Sequence, residues 1–437
     1  MNPLYRKCNT AETFIGMHNY LCDTDGTGGH LKTLPEDFIV REISEPPRAK
    51  DNGDYTVAKV TARNWETNRL VRLMSRGLGV SRDRIGFAGT KDKRAVTTQL
   101  MSFYGQHDLS KINLKDVTIE DPYRAARGIQ IGDLIGNSFE ITVRDLATPI
   151  GQIPKILEEN HSIMKKTGGF PNYFGVQRFG VIRPVTHLVG EKLIRGDIEG
   201  AVRTYISYRT PLEETEVQEK RQELENCSGD DWKRLLNTIP ENMSFEKTMV
   251  GVLASDPDDW VGAISILPTN LQMMFVHAYQ SKLFNEMLSR RMDAELPLNM
   301  PVEGDVVIPI DSNGIPNHEE PILTTSKNID LVIRQVRAKR AFVTITLFGS
   351  DSTLAEGEMG KIERQVIEEE KICNDDFVIP ELPRCSSKGN RREILCPLKD
   401  LKYVVNEDSY TLSFDLPKGN YATCLLREFM KSEMRDY

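Results

Sequence analysis

One short stretch of the chain combines an isolated carboxylate with several cations. Residues 86–99 read GFAGTKDKRAVTTQ, so that Asp92 lies between Lys91 and Lys93 and close to Arg94. An aspartate side chain is ordinarily ionised near neutral pH, and a positioned carboxylate can act as a nucleophile. The alternative is a solvated turn residue whose charge is neutralised by its neighbours. Both interpretations stay open when this stretch is taken alone.

Three loops carry an aromatic ring next to Gly, Pro or Asn. Phe38 closes PEDF, Phe174 follows Asn172 in NYFG, and Tyr421 lies in KGNYAT. Such a ring could hold an unstacked nucleic-acid base, since stacking on an aromatic face contributes about 1–3 kcal/mol per base. The alternative is that each ring packs beneath its own loop. These residues are therefore candidates for a base-binding site, and spacing alone leaves both interpretations open.

Several familiar sites are absent from the sequence. Gly77-Leu78-Gly79 lacks the third glycine of a dinucleotide-binding loop, and GFAGTK lacks the spacing of a phosphate-binding P-loop. The seven histidines form no H-E-x-x-H motif, and no G-x-S-x-G is present. The seven scattered cysteines form no C-x-x-C motif, which favours a reducing compartment. The sequence therefore predicts neither a metal site nor a bound cofactor.

Charge is distributed unevenly along the chain, whose net charge is −8. Residues 211–260 hold 13 acidic and five basic residues, whereas residues 61–99 hold nine basic and three acidic residues. In the second segment Arg69, Arg72 and Arg76 share one face of a predicted helix. Since attraction to phosphates acts over about 8–10 Å at physiological salt, a local basic face is compatible with a nucleic-acid partner. A solvated helix face is the alternative.

The pattern of elements predicts an α+β protein. Residues 300–350 read as short strands, and residues 410–430 as a strand, a Pro-Lys-Gly turn and a helix. Further strands are expected over 38–43, 54–62, 84–89, 95–105 and 137–145, and helices over 64–79, much of 187–291 and 363–372. No run reaches the roughly 18 apolar residues of a membrane span, and the N-terminus lacks the apolar segment of a secretory signal. We therefore expect a cytoplasmic location.

Five blocks of the chain together resemble the TruD family of pseudouridine synthases, in its archaeal type. They occur in the order expected for the family and are PEDFIVRE, GFAGTKDKRAVTTQ, NYFGVQRFG, HAYQSKLFN and FDLPKGNYATCLLREFM. The second block is similar to the family motif AG-x-KD-[KR]-x-A-x-T-x-Q, whose aspartate is the catalytic nucleophile. The resemblance implies that this nucleophile is Asp92.

The resemblance also implies an architecture and a reaction. The architecture is a catalytic domain with a mixed β-sheet and flanking helices, formed by residues 1–197 and 393–437, with an inserted α/β TRUD domain over 198–392. The reaction is the isomerisation of a uridine in transfer RNA, at position 13, to pseudouridine. It needs no cofactor, and transfer RNA is the expected partner, without a membrane or an obligate protein partner.

The same resemblance implies roles for the candidate residues. Lys32 of LKTLPEDF is the cation expected to keep Asp92 ionised and oriented. Phe174 and Tyr421 are expected to stack on the uracil. Phe38 is expected to be a pocket residue or a supporting ring, and Asn172 to bind uracil or position its loop. Arg69, Arg72 and Arg76 are expected to contact phosphates.

Two other classes of function are compatible with parts of the sequence. A non-catalytic RNA-binding protein on the same fold would not need Asp92, so the intact motif argues against it. A hydrolase of a small acidic metabolite would need a metal or a catalytic triad, and neither signature is present.

Overall fold

The computed structural model describes residues 5–310 and 316–437 of the chain. Within these residues the strands are β1 (Arg6–Lys7), β2 (Asn19–Tyr20), β3 (Phe38–Ser44), β4 (Tyr55–Arg63), β5 (Ile85–Phe87), β6 (Val96–Tyr104), β7 (Val117–Ala125), β8 (Leu134–Val143), β9 (Gly169–Pro171), β10 (Val306–Pro309), β11 (Ile322–Leu323), β12 (Ala341–Leu347), β13 (Asn390–Glu393), β14 (Leu395–Pro397), β15 (Lys399–Val405) and β16 (Tyr410–Pro417). The α-helices are α1 (Thr67–Leu78), α2 (Ile153–Thr167), α3 (Thr186–Ile194), α4 (Ile198–Ser207), α5 (Thr215–Glu225), α6 (Asp231–Leu236), α7 (Ser244–Ser255), α8 (Trp260–Ser265), α9 (Thr269–Asp293), α10 (Ile329–Arg337), α11 (Gly357–Glu370) and α12 (Ala422–Met430). The prediction of an α+β fold is therefore confirmed.

The chain divides into two compact units, each built from separated segments. One unit, here called the sheet unit, contains residues 24–170, 396–432 and 436–437. The other, here called the helical unit, contains residues 1–23, 171–395 and 433–435. The helical unit thus includes residues 171–197 in addition to the predicted insert of 198–392. The assignment of the units as catalytic domain and insert stays a prediction.

A mixed sheet forms the centre of the sheet unit. Its strand order is β15-β16-β8-β3-β6-β4-β7. The short strand β5 pairs with residues 101–103, near the end of β6. All neighbours are antiparallel except β3 and β6, which run parallel with Ile39 opposite Val96. Because parallel strands begin at the same edge of a sheet, the segments that precede β3 and β6 approach each other. These two segments contain Lys32 and Asp92.

Helix α1 packs on this sheet through one apolar stripe. Leu70, Val71 and Met74 are buried against residues of β4, β5 and β6 such as Val60 and Phe103. The helix ends at Gly79, whose φ of 67° lies in the left-handed region that favours glycine. The opposite face of α1, which carries the predicted arginines, remains in solvent. Burial of the apolar stripe therefore determines which face of α1 is basic.

The helical unit is built around the long helix α9. Its residues Val276, Tyr279, Leu283 and Met287 are all buried, as their helical spacing predicts. Helices α3 and α11 pack on α9, together with an antiparallel sheet of order β11-β10-β12-β13. Between β11 and β12 the chain forms helix α10, where the sequence predicts only short strands. This part of the prediction is wrong.

Two further observations concern the predicted absence of a membrane span and the predicted reducing compartment. Among the helices of residues 5–310 and 316–437, none combines the length and hydropathy that crossing a bilayer requires. All seven cysteines are free thiols, and six of them are buried.

Candidate active site

Asp92 and Lys32 form an ion pair in the sheet unit. The Lys32 ammonium donates to Asp92 Oδ1 at 2.6 Å. The Lys32 side chain is 17% exposed and the Asp92 side chain 43%, so the cation lies deeper than the carboxylate. Among the described residues, Lys32 is the one hydrogen-bond partner of this carboxylate, which leaves Oδ2 open to a ligand. The Asp92 carboxylate is therefore accessible, and the more deeply buried Lys32 ammonium binds one of its oxygens.

The backbone around Lys32 is fixed on both sides. His30 forms an antiparallel bridge with Arg144, and the Leu31 N–H donates to the carbonyl of Asp436 at 2.9 Å. Lys32 itself has a φ of 57°, a left-handed conformation that few residues other than glycine adopt. The ammonium lies 4.3 Å from the ring centroid of Phe38, which is buried. The Phe38 ring thus contacts the Lys32 ammonium, and its role at the uracil site stays a prediction.

Asp92 lies in a loop over residues 88–95, here called the motif loop. The Lys91 ammonium does not contact Asp92 but pairs with the Glu42 carboxylate at 2.8 Å, and both side chains are almost fully buried. The Lys91 N–H donates to Thr67 Oγ1 at the start of α1. These contacts anchor the motif loop to β3 and to α1. They explain why Lys32, rather than the adjacent Lys91, is the partner of Asp92.

Arg94 links the motif loop to the segment that carries Lys32. Its guanidinium donates to the carbonyl of Thr33 at 2.9 Å. The side chain is exposed, and its contact spans 61 positions of the chain. Since Thr33 follows Lys32 directly, this hydrogen bond helps to hold the two members of the ion pair at a fixed separation.

A turn over residues 130–133 links the loop of Tyr421 to the motif loop. The Gly132 N–H donates to the carbonyl of Ala88, the first residue of the motif loop, at 2.8 Å. The Gly132 carbonyl accepts from the Lys418 ammonium at 3.0 Å. Lys418 belongs to the turn that joins β16 to α12, and half-buried Tyr421 caps that helix. One turn therefore connects the loops of Asp92 and Tyr421.

The three predicted phosphate contacts lie on the exposed face of α1. Arg69, Arg72 and Arg76 are all exposed, and the Arg69 guanidinium lies 5.4 Å from the ring centroid of Trp65. Helix α1 begins at Thr67, which accepts the hydrogen bond from the motif loop. The helix that carries the arginine face thus begins at the residue that binds the motif loop.

Asn172 and Phe174 belong to the helical unit, whereas the other candidates belong to the sheet unit. The Asn172 side chain is buried, with Nδ2 donating to the carbonyl of Glu393 and Oδ1 accepting from Arg392 at 2.7 Å. Phe174 is also buried, with the Arg392 guanidinium 4.2 Å from its ring centroid and the ring of Phe284 edge-on at 5.5 Å. The Asn172 amide thus bonds to two residues of β13, and its role in loop positioning stays a prediction. Uracil binding by Asn172 and Phe174 stays a prediction.

A metal site is not apparent in the described part of the chain. There, no group of three or more His, Cys, Asp or Glu side chains is arranged to hold an ion.

The comparisons with known proteins identify the family of the chain. The family model described as tRNA pseudouridine synthase D (TruD) matches residues 14–429. The chain belongs to this family. A relative from Methanococcoides burtonii, named for tRNA pseudouridine synthase D, is 42% identical over 431 residues, which covers 97% of each chain. A relative of the same name from Thermococcus sibiricus is 35% identical, and the match covers 96% of this chain and 98% of the relative.

A solved structure extends the similarity to three dimensions. The crystal structure of a chain from Methanosarcina mazei, named for TruD, superposes with a TM-score of 0.84 at 39% identity. The match covers 97% of this chain and 98% of the other. The TruD fold is therefore shared over nearly the whole length.

Sequence reasoning missed three residues that contact the candidate residues or their loops in this TruD chain. Glu42 pairs with Lys91, Arg94 bonds to Thr33, and Arg392 covers the ring of Phe174. Arg94 lies in the quoted motif, so its type was visible although its partner was not. Glu42 likewise ends the quoted block PEDFIVRE, whereas Arg392 lies outside the quoted blocks. The partners of all three residues are distant in the chain.

Proposed function

We propose that this chain isomerises a uridine of transfer RNA to pseudouridine, with Asp92 as the nucleophile and position 13 as the target. The observation that carries the proposal is the accessible Asp92 carboxylate, paired with Lys32 inside the family's motif loop. Membership in the TruD family supports the reaction class and the transfer RNA substrate. The sheet unit is then the catalytic domain, the helical unit contains the TRUD insert, and the protein acts in the cytoplasm.

The reaction requires little beyond a positioned carboxylate. The C1′–N1 glycosidic bond breaks, the uracil rotates, and C5 joins C1′, so the product has the composition of the substrate. The carboxylate could add to the sugar, add to the base or remove a sugar proton, and each role requires an ionised and oriented oxygen. Asp92 Oδ2 is the oxygen that the Lys32 contact leaves for this purpose.

Lys32 has two functions in this proposal. Its positive charge attracts the Asp92 carboxylate across the 2.6 Å contact. Its hydrogen bond also restricts rotation of the carboxylate. The buried Phe38 ring and the fixed backbone around Lys32 keep the ammonium in place before substrate binds.

The target uridine must leave its stack to reach Asp92, which costs a few kcal/mol. Stacking on Tyr421 and Phe174, with Asn172 contributing to uracil binding, offsets this cost. Arg69, Arg72 and Arg76 bind backbone phosphates and orient the folded RNA.

The proposal is tested with transfer RNA transcribed without modifications. The protein is incubated with the transcript, and pseudouridine is located by chemical labelling. We expect one pseudouridine, at position 13, and none in a matched transcript with cytidine at that position. Product at a different uridine would contradict the site assignment. Binding without any product would favour the alternative of a non-catalytic RNA-binding protein on the same fold.

A further inference from the structure

The most exposed large hydrophobic side chain among the described residues belongs to Ile131, at 72%. It occupies the second position of the turn over residues 130–133, in which the Asp133 N–H donates to the Gln130 carbonyl at 3.1 Å. Gly132, at the third position, has a φ of 94°, which is typical of a type II turn. Turn tips are ordinarily polar, so an isoleucine at this tip is unusual.

The Ile131 turn is braced rather than loose. The Asp133 carboxylate accepts from the Gln130 N–H at 3.0 Å and from the Arg127 guanidinium at 2.7 Å. The backbone hydrogen bond from Gln130 lowers the pKa of Asp133, so the carboxylate is ionised and both bonds persist at neutral pH. A single exposed apolar residue on a protein surface needs no explanation, but a turn held this firmly keeps the side chain in solvent at a fixed place.

Two hydrogen bonds of Gly132 connect the turn to other segments of the sheet unit. Gly132 donates to Ala88 of the motif loop and accepts from Lys418 of the turn that precedes Tyr421. The Lys418 ammonium also places positive charge at the turn, while the charge of Arg127 is paired with Asp133. The charge of Lys418 is compatible with a polyanionic partner. Ile131 therefore projects from the structural link between the Asp92 loop and the Tyr421 loop.

We infer that Ile131 is a positioning residue that inserts into the RNA stack beside the target uridine. Extrusion of a nucleotide leaves a gap between its neighbours, and apolar side chains on other proteins enter such gaps and keep the bases apart. Ile131 has the required shape, exposure and rigidity, and its turn is anchored to the loop that carries the reactive carboxylate. The inference rests on the proposed function, because it assumes that a uridine is extruded toward Asp92.

The experiment measures unstacking separately from chemistry. A transfer RNA transcript carries 2-aminopurine beside the uridine that the wild-type protein modifies, and its fluorescence rises when the neighbouring stack opens. Four full-length variants are compared with the wild type. They are Ile131→Ser, Ile131→Leu, Asp92→Asn and the control Val404→Ser, which alters a 61% exposed residue of β15 in the same unit.

We expect Ile131→Ser to lose most of the fluorescence rise and to form pseudouridine about tenfold more slowly in a single turnover, with an unchanged melting temperature. Ile131→Leu and Val404→Ser should resemble the wild type. Asp92→Asn should retain the fluorescence rise but form no product. A fluorescence rise and rate for Ile131→Ser equal to the wild type would overturn the inference while leaving the proposed function intact. Absence of pseudouridine with the wild type would instead overturn the proposed function.

Discussion

Lys32 and Asp92 are 60 residues apart in the chain, yet the lysine ammonium lies 2.6 Å from the aspartate carboxylate. The parallel pairing of β3 with β6 brings the segments before these strands to one edge of the sheet. Lys91, adjacent to Asp92 in sequence, is instead buried against Glu42. The two lysines therefore have different functions, which mutation can separate.

Replacing Lys32 should impair the reaction rather than the fold. We expect Lys32→Met to lower the single-turnover rate by about 100-fold, because removing a positioned donor to a reacting group has effects of this size. Lys32→Arg should retain part of the rate, since it keeps the charge. The rate and the melting temperature are measured on the same samples. A fall in melting temperature with an unchanged rate per folded molecule would show that Lys32 is structural.

Replacing Lys91 should impair the fold first. Lys91→Met leaves the buried Glu42 carboxylate without its cation, which we expect to lower the free energy of unfolding by about 3–5 kcal/mol. The double variant Lys91→Met with Glu42→Gln should recover part of this loss, because it removes the unpaired charge. Denaturant unfolding at neutral pH measures both. Equal stability of Lys91→Met and the wild type would contradict the anchoring role of this pair.

The arginine face of α1 should contribute to RNA affinity through phosphates. For the double variant Arg72→Ala with Arg76→Ala, we expect weaker binding and a salt dependence reduced by about one unit of slope per lost phosphate contact. Lys155→Ala, which removes an exposed cation of α2, is the matched control. Binding is measured across a range of salt concentrations. A plot of log affinity against log salt that coincides with the wild type would show that the arginines are only solvated.

Tyr421 should act through its ring face. We expect Tyr421→Ala to lose about 1–3 kcal/mol of stacking, seen as a slower rate on folded RNA, whereas Tyr421→Phe should stay close to the wild type. The melting temperature should change little. If the ring were mainly part of the core, truncation would cost about 3–5 kcal/mol of stability. Unfolding of that size, together with an unchanged rate per folded molecule, would reject the stacking role.

His187 should make the stability of the protein depend on pH. The residue is buried, and neither ring nitrogen has a hydrogen-bond partner among the described residues. Burial, aided by the charge of Lys282, lowers the pKa of His187 from 6.5 to about 3. Between pH 6.5 and about pH 3, His187 takes up a proton in the unfolded chain but not in the native protein. The free energy of unfolding therefore falls as the pH falls. The slope is about 1.4 kcal/mol per pH unit.

The variant His187→Leu removes this titration. We expect the loss of unfolding free energy between pH 7 and pH 5 to be about 2 kcal/mol smaller in His187→Leu than in the wild type. Denaturant unfolding at the two pH values supplies the comparison. The same pH dependence in both proteins would show that His187 is protonated in the native state.

The sequence indicates the local features of the fold but not its distant contacts. The alternation of Phe139, Ile141 and Val143 identifies β8, and the spacing in α1 with Gly79 at its end identifies that helix, because these signals lie within one element. Helix α10 was missed because its Ile and Val residues, which are typical of strands, mask a helical spacing. In the folded protein the helix contacts β12, and Val332 is its one buried residue.

In the candidate site, too, the sequence indicates local features but not distant contacts. Asp92 stands out within its motif, and the family resemblance supplies Lys32. Neither source indicates that Lys91 turns toward Glu42, that Lys32 adopts a left-handed conformation, or that Gly132 links two loops. Each of these depends on strand pairing between segments distant in the chain. A pattern read along the sequence cannot contain that information.

The central claim is that Asp92 performs the reaction, and Asp92→Asn tests it most directly. The variant keeps the size of the side chain and removes its charge. The measurement is pseudouridine formation in a single turnover on unmodified transfer RNA, with RNA affinity and melting temperature determined for the same sample. Asp51→Asn, which alters an exposed aspartate of the same unit, is the control. We predict that Asp92→Asn folds and binds RNA like the wild type but forms no pseudouridine, whereas a rate comparable with that of the wild type would contradict the claim.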